Sequence, residues 1–316
     1  MRRLQTLLAV LAVTLATPAA AVNADVRHRG IAHDALFSVN FDGANALAVG
    51  AAGTILRSED AGESWTTESG VPTEFALNGV ALRGEHAVAV GQLGVILRRE
   101  DDGSWQAVES PTEERLMQVA LTVDGRAVAV GAFGSLLVSD DGGRTWESAA
   151  PDWSTTTDQG FEPHLYAVDI AENGAVTVAG EFGLILRSPD GHSDWRVLRE
   201  GEASIFGMHL RPDGVGYAVG QSGTILKTQD GGKTWVATAE PGTVVWLNVR
   251  SDDNGQVYVS GIREMAISAD AGSTWSRHTG DELGALWLAG LDRSVSAEGS
   301  GVVAVGQGGH VLKITP

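Results

Sequence analysis

The chain has 316 residues, no cysteine, 40 acidic against 22 basic side chains, and a formal net charge of −18. Without thiols there is no disulfide framework, no zinc–thiolate site and no lipidated N-terminal cysteine. So acidic a field repels phosphate, which argues against nucleic acid or an anionic lipid surface as partner.

Residues 1–21 read as a targeting segment. Arg2 and Arg3 precede an apolar run from Leu7 to Ala16, and Ala19 and Ala21 supply the small residues of a cleavage site. The run is too short for a spanning helix, which needs about 20 residues. The expectation is a signal peptide over 1–21, a single domain over 22–316, and a soluble product in a periplasm or outside the cell.

From residue 36 onward one unit recurs. Four-residue glycine turns begin at Gly50, Gly91, Gly131, Gly180, Gly220 and Gly306, with a degenerate copy at Gly261, so the spacing runs from 40 to 49 residues. Self-similarity at that period marks propeller blades or another repeat array. Short β-branched runs flank each turn, as in Val88-Ala89-Val90 before and Val95-Ile96-Leu97 after. A further strand precedes both, as in Leu36-Phe37-Ser38-Val39 and Leu165-Tyr166-Ala167-Val168. These lengths predict strands. A fourth strand starts at the tryptophan of a second motif, giving four strands per blade.

That motif is the Asp-box, Ser-x-Asp-x-Gly-x-Thr-Trp. It stands at Ser58 to Trp65, Ser139 to Trp146, Thr228 to Trp235 and Ser268 to Trp275, with weaker copies at Asp101 to Trp105 and Ser188 to Trp195. Its aspartate is read as a turn clamp accepting backbone N–H bonds, and its glycine as a φ > 0 position. There are seven glycine turns but six tryptophan motifs. The spare segment Asp25 to Ile31 is therefore expected to add the missing outer strand of the last blade. The prediction is an all-β, seven-bladed β-propeller closed by its N-terminal strand, with no open sheet edge.

The phrases Gly220-Gln221-Ser222-Gly223-Thr224-Ile225-Leu226-Lys227-Thr228 and Asp230-Gly231-Gly232-Lys233-Thr234-Trp235 resemble the photosystem II assembly and stability factor family. The resemblance runs from Leu36 to Pro316. It implies a seven-bladed Asp-box propeller without enzymatic activity that helps a membrane-protein client assemble, and no cofactor. Members also occur in bacteria with no photosystem. The family's photosynthetic members are similar in using an arginine-rich patch, from which this acidic chain departs. A basic residue recurs at Arg57, Arg98, Arg187, Lys227 and Lys313; it reads as solvated blade surface, with a client site as the alternative.

Chain direction places the glycine turns and the outer-to-inner connections at one end and the Asp-boxes at the other. Each connection carries an acid: Asp34, Glu74, Glu113 with Glu114, Glu162, Glu202, Glu240, and Asp281 with Glu282. Loop solubility explains this, as does a funnel for a cation or a basic partner segment. Phe133 and Phe182 hold the third position of adjacent glycine turns, and between them lies the longest insertion, Pro151 to Phe161, with Trp153. Phe133, Phe182, Trp153 and Glu162 are the candidate partner-binding residues for a monomeric, client-binding protein; both phenylalanines packing into their own blades is the other reading.

A sialidase-like or other glycoside hydrolase is the competing expectation, because Asp-boxes also mark sialidases. It needs three converging arginines, a tyrosine–glutamate pair and an acid, whereas Tyr166, Tyr217 and Tyr258 all fall within predicted blade strands. The eight histidines make no metal pattern. The Gly-x-x-Gly turns join two strands, so they are not phosphate cradles.

Overall fold

The computed structural model describes residues 22–158, 160–238, 243–296 and 299–315. The signal segment, Glu240 and the side chains of Asp281 and Glu282 fall outside that description. Seven four-stranded antiparallel sheets form the ring. Blade 1 is typical: an inner strand Leu36–Asp42, then Asn45–Gly50, Ile55–Ser58 and the short outer strand Thr66–Thr67. The inner strands of blades 2 to 7 begin at Leu77, Leu116, Leu165, Ile205, Trp246 and Leu288.

Blade 7 combines both ends of the chain. Its strands Leu288–Ser296, Gly299–Gly306 and Val311–Thr315 are completed by Asn23–His28, which pairs antiparallel with Asn23 opposite Thr315 and Val26 opposite Leu312. The closing strand thus starts two residues before the expected Asp25 and stops short of Ile31. Gly30 N–H donates instead to the Gly308 carbonyl at 3.0 Å, and Ile31 N–H to Asp34 at 2.7 Å, folding residues 30–34 into a turn.

The core lies between blades. One buried cluster joins Leu47, Val49 and Ile55 of blade 1 to Leu77, Val80 and Leu82 of blade 2, and the same alternation continues around the ring. The residue two before each glycine turn (Ala48, Ala89, Ala129, Val178, Ala218, Val259, Ala304) is fully buried, as close sheet packing requires. The first glycine of each turn has a different cause: a Cβ on Gly50 would lie 1.9 Å from the Ala35 carbonyl oxygen, and one on Gly220 1.9 Å from that of Ser204. No side chain fits there.

The Asp-boxes are turn clamps. Asp230 accepts from Thr234 N–H at 2.9 Å, Thr234 Oγ1 at 2.7 Å and Thr228 Oγ1 at 2.8 Å. The Thr234 bonds hold its carboxyl down at about 2. Trp235 donates back to the Gly232 carbonyl at 3.1 Å, and Trp65 and Trp146 repeat the bond to Gly62 and Gly143. Asp60, Asp141, Asp190 and Asp270 sit in matching clamps.

Candidate functional site

The third residue of every glycine turn occupies the left-handed region, with φ of 52° at Ala52, 53° at Leu93, 48° at Phe133, 51° at Phe182, 57° at Ser222, 62° at Arg263 and 68° at Gly308. A Cβ-bearing residue there costs about 1–2 kcal/mol, which glycine avoids. Leu93, Phe133 and Phe182 are not buried in return, for they are 61%, 57% and 52% exposed. Bulky apolar side chains held in strain and left in water point to function rather than to folding.

The segment Phe161–His164 lies between the two phenylalanine turns. Phe133 meets the His164 ring edge-on at 4.8 Å, and Phe182 meets Phe161 at 5.0 Å. Phe133 N–H donates to His164 Nδ1 at 3.0 Å, and Gly134 N–H to the Pro163 carbonyl at 2.8 Å. Glu162, between Phe161 and His164 in the chain, is exposed. The array continues toward the axis through Tyr166 and Phe206, whose rings are 5.0 Å apart. Burial first, then the neighbouring Glu181, pushes the Tyr166 hydroxyl up to about 12, so it stays protonated.

Trp153 is not part of the exposed surface. It is 6% exposed, opens a four-residue helix (Trp153–Thr156) capped by Asp152, and donates to the Gly134 carbonyl at 3.2 Å. It seats the insertion against the Phe133 turn. Leu93, in the same slot one blade earlier, belongs with the phenylalanines. The positional match to Phe133 and Phe182 was available in the sequence.

Of the ten exposed large apolar side chains among the described residues, Ile31, Phe75, Leu93, Phe133, Phe182 and Ile262 lie at the glycine-turn end. Asp34, Glu74, Glu113, Glu114, Glu162 and Glu202 are exposed around them. An apolar face with an acidic rim results.

The basic stripe is neither solvated surface nor a free patch. Arg98 donates to the Gly142 carbonyl at 3.1 Å, Lys227 to that of Ala271 at 2.7 Å, and Lys313 to Glu63. Each acceptor is in the Asp-box of the following blade, so these side chains strap neighbours together. Arg98 and Lys313 are accordingly buried. Arg187 donates to Thr177 Oγ1 at 2.6 Å, and Arg57 pairs with Glu59 and with Glu68 at 2.7 Å.

At the axis, the fifth residues of the seven inner strands line one cavity of about 800 Å³: Asn40, Ala81, Ala120, Asp169, His209, Arg250 and Asp292. Polar members reach to the next blade, where they accept an inner-strand N–H: Asn40 from Leu82 (2.8 Å), Asp169 from Leu210 (3.3 Å), His209 Nδ1 from Ser251 (3.2 Å), Asp292 from Phe41 (2.7 Å). Arg250 cannot accept; it donates to Asp292 at 2.8 Å. Asp292 also takes bonds from Asn40 and Arg293. Burial pushes Asp169 up to about 6 and His209 down to about 3.

This geometry does not fit a glycosidase. Hydrolysis takes two available carboxyl groups, and Asp292 is consumed by four donors. Tyr217 is buried with its hydroxyl donating to the Ala271 carbonyl at 2.9 Å, and Tyr258 is buried in the core. Among the described residues no group of three His, Asp or Glu side chains is placed to hold a metal ion.

Residues 99–203 match the family model for the photosynthesis system II assembly factor YCF48. In that segment the chain is similar to that family. It spans the end of blade 2 through blade 4 and contains Phe133, Trp153, Glu162 and Phe182. A solved structure of YCF48 bound to a D1 peptide superposes with a TM-score of 0.72 at 17% identity, covering 93% of this chain and 97% of that one. YCF48 from Cyanidioschyzon merolae gives 0.70 at 19% identity, covering 93% and 98%. The WD40 repeats of RRP9 give 0.71 at 12% identity, covering 94% and 97%. At such identities the likeness is one of fold. A comparison with curated proteins finds no match.

Proposed function

We propose that the chain is an exported, non-enzymatic accessory factor that binds a membrane-associated protein client through its glycine-turn face, with Phe133 and Phe182 as anchors. The carrying observation is that both rings are more than half exposed in a backbone region glycine would occupy more cheaply. The solved likeness bound to a D1 peptide supports a client of the same kind, a segment of a membrane protein. Here the acidic rim favours a client presenting apolar anchors beside Lys or Arg. The anchors supply the affinity, and the rim steers the encounter and makes it sensitive to salt.

A photo-crosslinking phenylalanine analogue at position 133 tests this reading in intact cells. Covalent adducts with a membrane protein are expected from position 133 and not from Val123, which is exposed at the opposite end. Equal adducts from both positions would refute it. Export is tested by the mass of the purified protein: cleavage after Ala21 is expected, and a cytoplasmic product retaining residues 1–21 would overturn it.

A further inference from the structure

The axial cavity opens at the Asp-box end, away from the proposed client face, past the hairpins at Thr122–Arg126 and Ala171–Gly174. At the fifth inner-strand position its wall is two-sided: blades 2 and 3 contribute Ala81 and Ala120, while blades 4 to 6 contribute Asp169, His209 and Arg250. On that polar side three atoms have no partner among the described residues: Oδ1 of Asp169, Nε2 of His209 and one terminal nitrogen of Arg250. The partners that do exist engage Asp169 Oδ2, His209 Nδ1, and Nε with the other terminal nitrogen of Arg250. Because His209 Nδ1 accepts a backbone N–H, its proton sits on Nε2. The cavity therefore presents one acceptor and two donors on adjacent blades, and Phe206 adds an aromatic ring to the lining.

We infer that this cavity binds a small neutral polyhydroxyl ligand, a mono- or oligosaccharide, without hydrolysing it. A hydroxyl group donates and accepts at once, so a run of hydroxyls can donate to Asp169 and accept from His209 and Arg250. An organic anion meets Asp169 and a chain of net charge −18. A cation meets Arg250, and also Arg83, which lines the same cavity. The charge of Arg250 is already matched by Asp292 at 2.8 Å, so a neutral ligand leaves no charge unbalanced there. The volume of about 800 Å³ suits a sugar of a few rings. Of the two acids at the fifth inner-strand position, Asp292 is taken up by four donors and only Asp169 keeps a free oxygen, so that level of the cavity holds no carboxyl pair to cleave a glycosidic bond.

The fold itself supplies the test variant. Alanine already stands at the Asp169 position in blades 2 and 3, so Asp169→Ala is compatible with a blade. Calorimetric titration of the mature protein against glucose, trehalose, cellobiose and maltotriose, with spermidine, glycine and citrate in parallel, reads the ligand class. Saturable binding of at least one of the saccharides is expected, weakened tenfold or more by Asp169→Ala and unchanged by Phe133→Ala. The inference is overturned if none of these saccharides binds at millimolar concentration, if Asp169→Ala binds as the parent does, or if the amine or the anion binds through Asp169 in their place. None of these outcomes depends on the client face.

Discussion

Asn40 donates its side-chain amide to Asp292 at 2.9 Å across the seam where the last blade meets the first, 252 positions apart in the chain. The same carboxylate takes the Phe41 N–H at 2.7 Å and Arg250 at 2.8 Å, so one buried group fastens blades 6, 7 and 1. Removing it strands a partly buried guanidinium and a backbone donor. Asp292→Ala is expected to lower stability by about 3–5 kcal/mol, read from urea unfolding. A loss below about 1 kcal/mol, the range of an exposed pair, would show that the seam is held elsewhere.

The seam's second fastening is the N-terminal strand. Deleting Asn23–His28 exposes the edge of Val311–Thr315, and an open edge invites pairing between molecules. A lower melting temperature and a concentration-dependent increase in size by light scattering are expected. An unchanged, monomeric protein would contradict closure by this strand.

Two groups set opposite pH dependences. Asp169 is raised to about 6, so the folded chain holds a proton that the unfolded chain has released. Its contribution is fully present below the unfolded value near 4 and is lost as pH rises through 6. Asp169→Asn, which keeps an acceptor for Leu210 N–H as Asn40 does for Leu82, should match the parent at pH 4 and exceed it by about 1–3 kcal/mol at pH 8. Asp230 is lowered to about 2. Its contribution is present above the unfolded value and is lost as pH falls through 2, so Asp230→Asn should lose stability at pH 7 and converge with the parent in acid. Denaturant unfolding at these pH values checks both signs.

Trp153 and the straps separate architecture from recognition. Trp153→Ala is expected to lower stability by about 3 kcal/mol through cavity formation and to loosen the Phe161–His164 segment beneath the anchors. Lys227→Ala loses a bond to the Ala271 carbonyl, worth about 1–2 kcal/mol, with client binding intact. Thermal unfolding alongside crosslinking yield distinguishes the two: a strap variant that binds poorly yet melts normally would return the basic stripe to the list of client contacts.

The blades were legible because their signals are local. Glycine turns recur at a fixed period, β-branched runs flank them, and the count of tryptophan motifs left one strand for the N-terminus to supply. Only the limits of that strand shifted, because Gly30 turns toward Gly308. The turn positions of Phe133 and Phe182 were visible for the same reason, whereas their exposure was one of two open readings. Trp153 was misplaced because an aromatic in an insertion looks the same whether it faces water or caps a neighbouring turn. The strap role of Arg98, Lys227 and Lys313 was misread because their acceptors in the following blade are backbone carbonyls 44 positions away and an acid across the ring seam. The axial arc had no sequence signature. Asn40, Asp169, His209, Arg250 and Asp292 share only a position in their strands, and ring closure brings them to one cavity.

The most direct test of the client face is the double substitution Phe133→Gly, Phe182→Gly. Glycine relieves the left-handed backbone at both turns, about 1–2 kcal/mol each, so the melting temperature should hold or rise. Quantitative capture of the crosslinked membrane-protein client from detergent extracts should nevertheless fall tenfold or more relative to the parent, while Val123→Ser at the opposite end leaves it unchanged. A double variant that melts as the parent does and captures the client in full would show that this face does not carry the function.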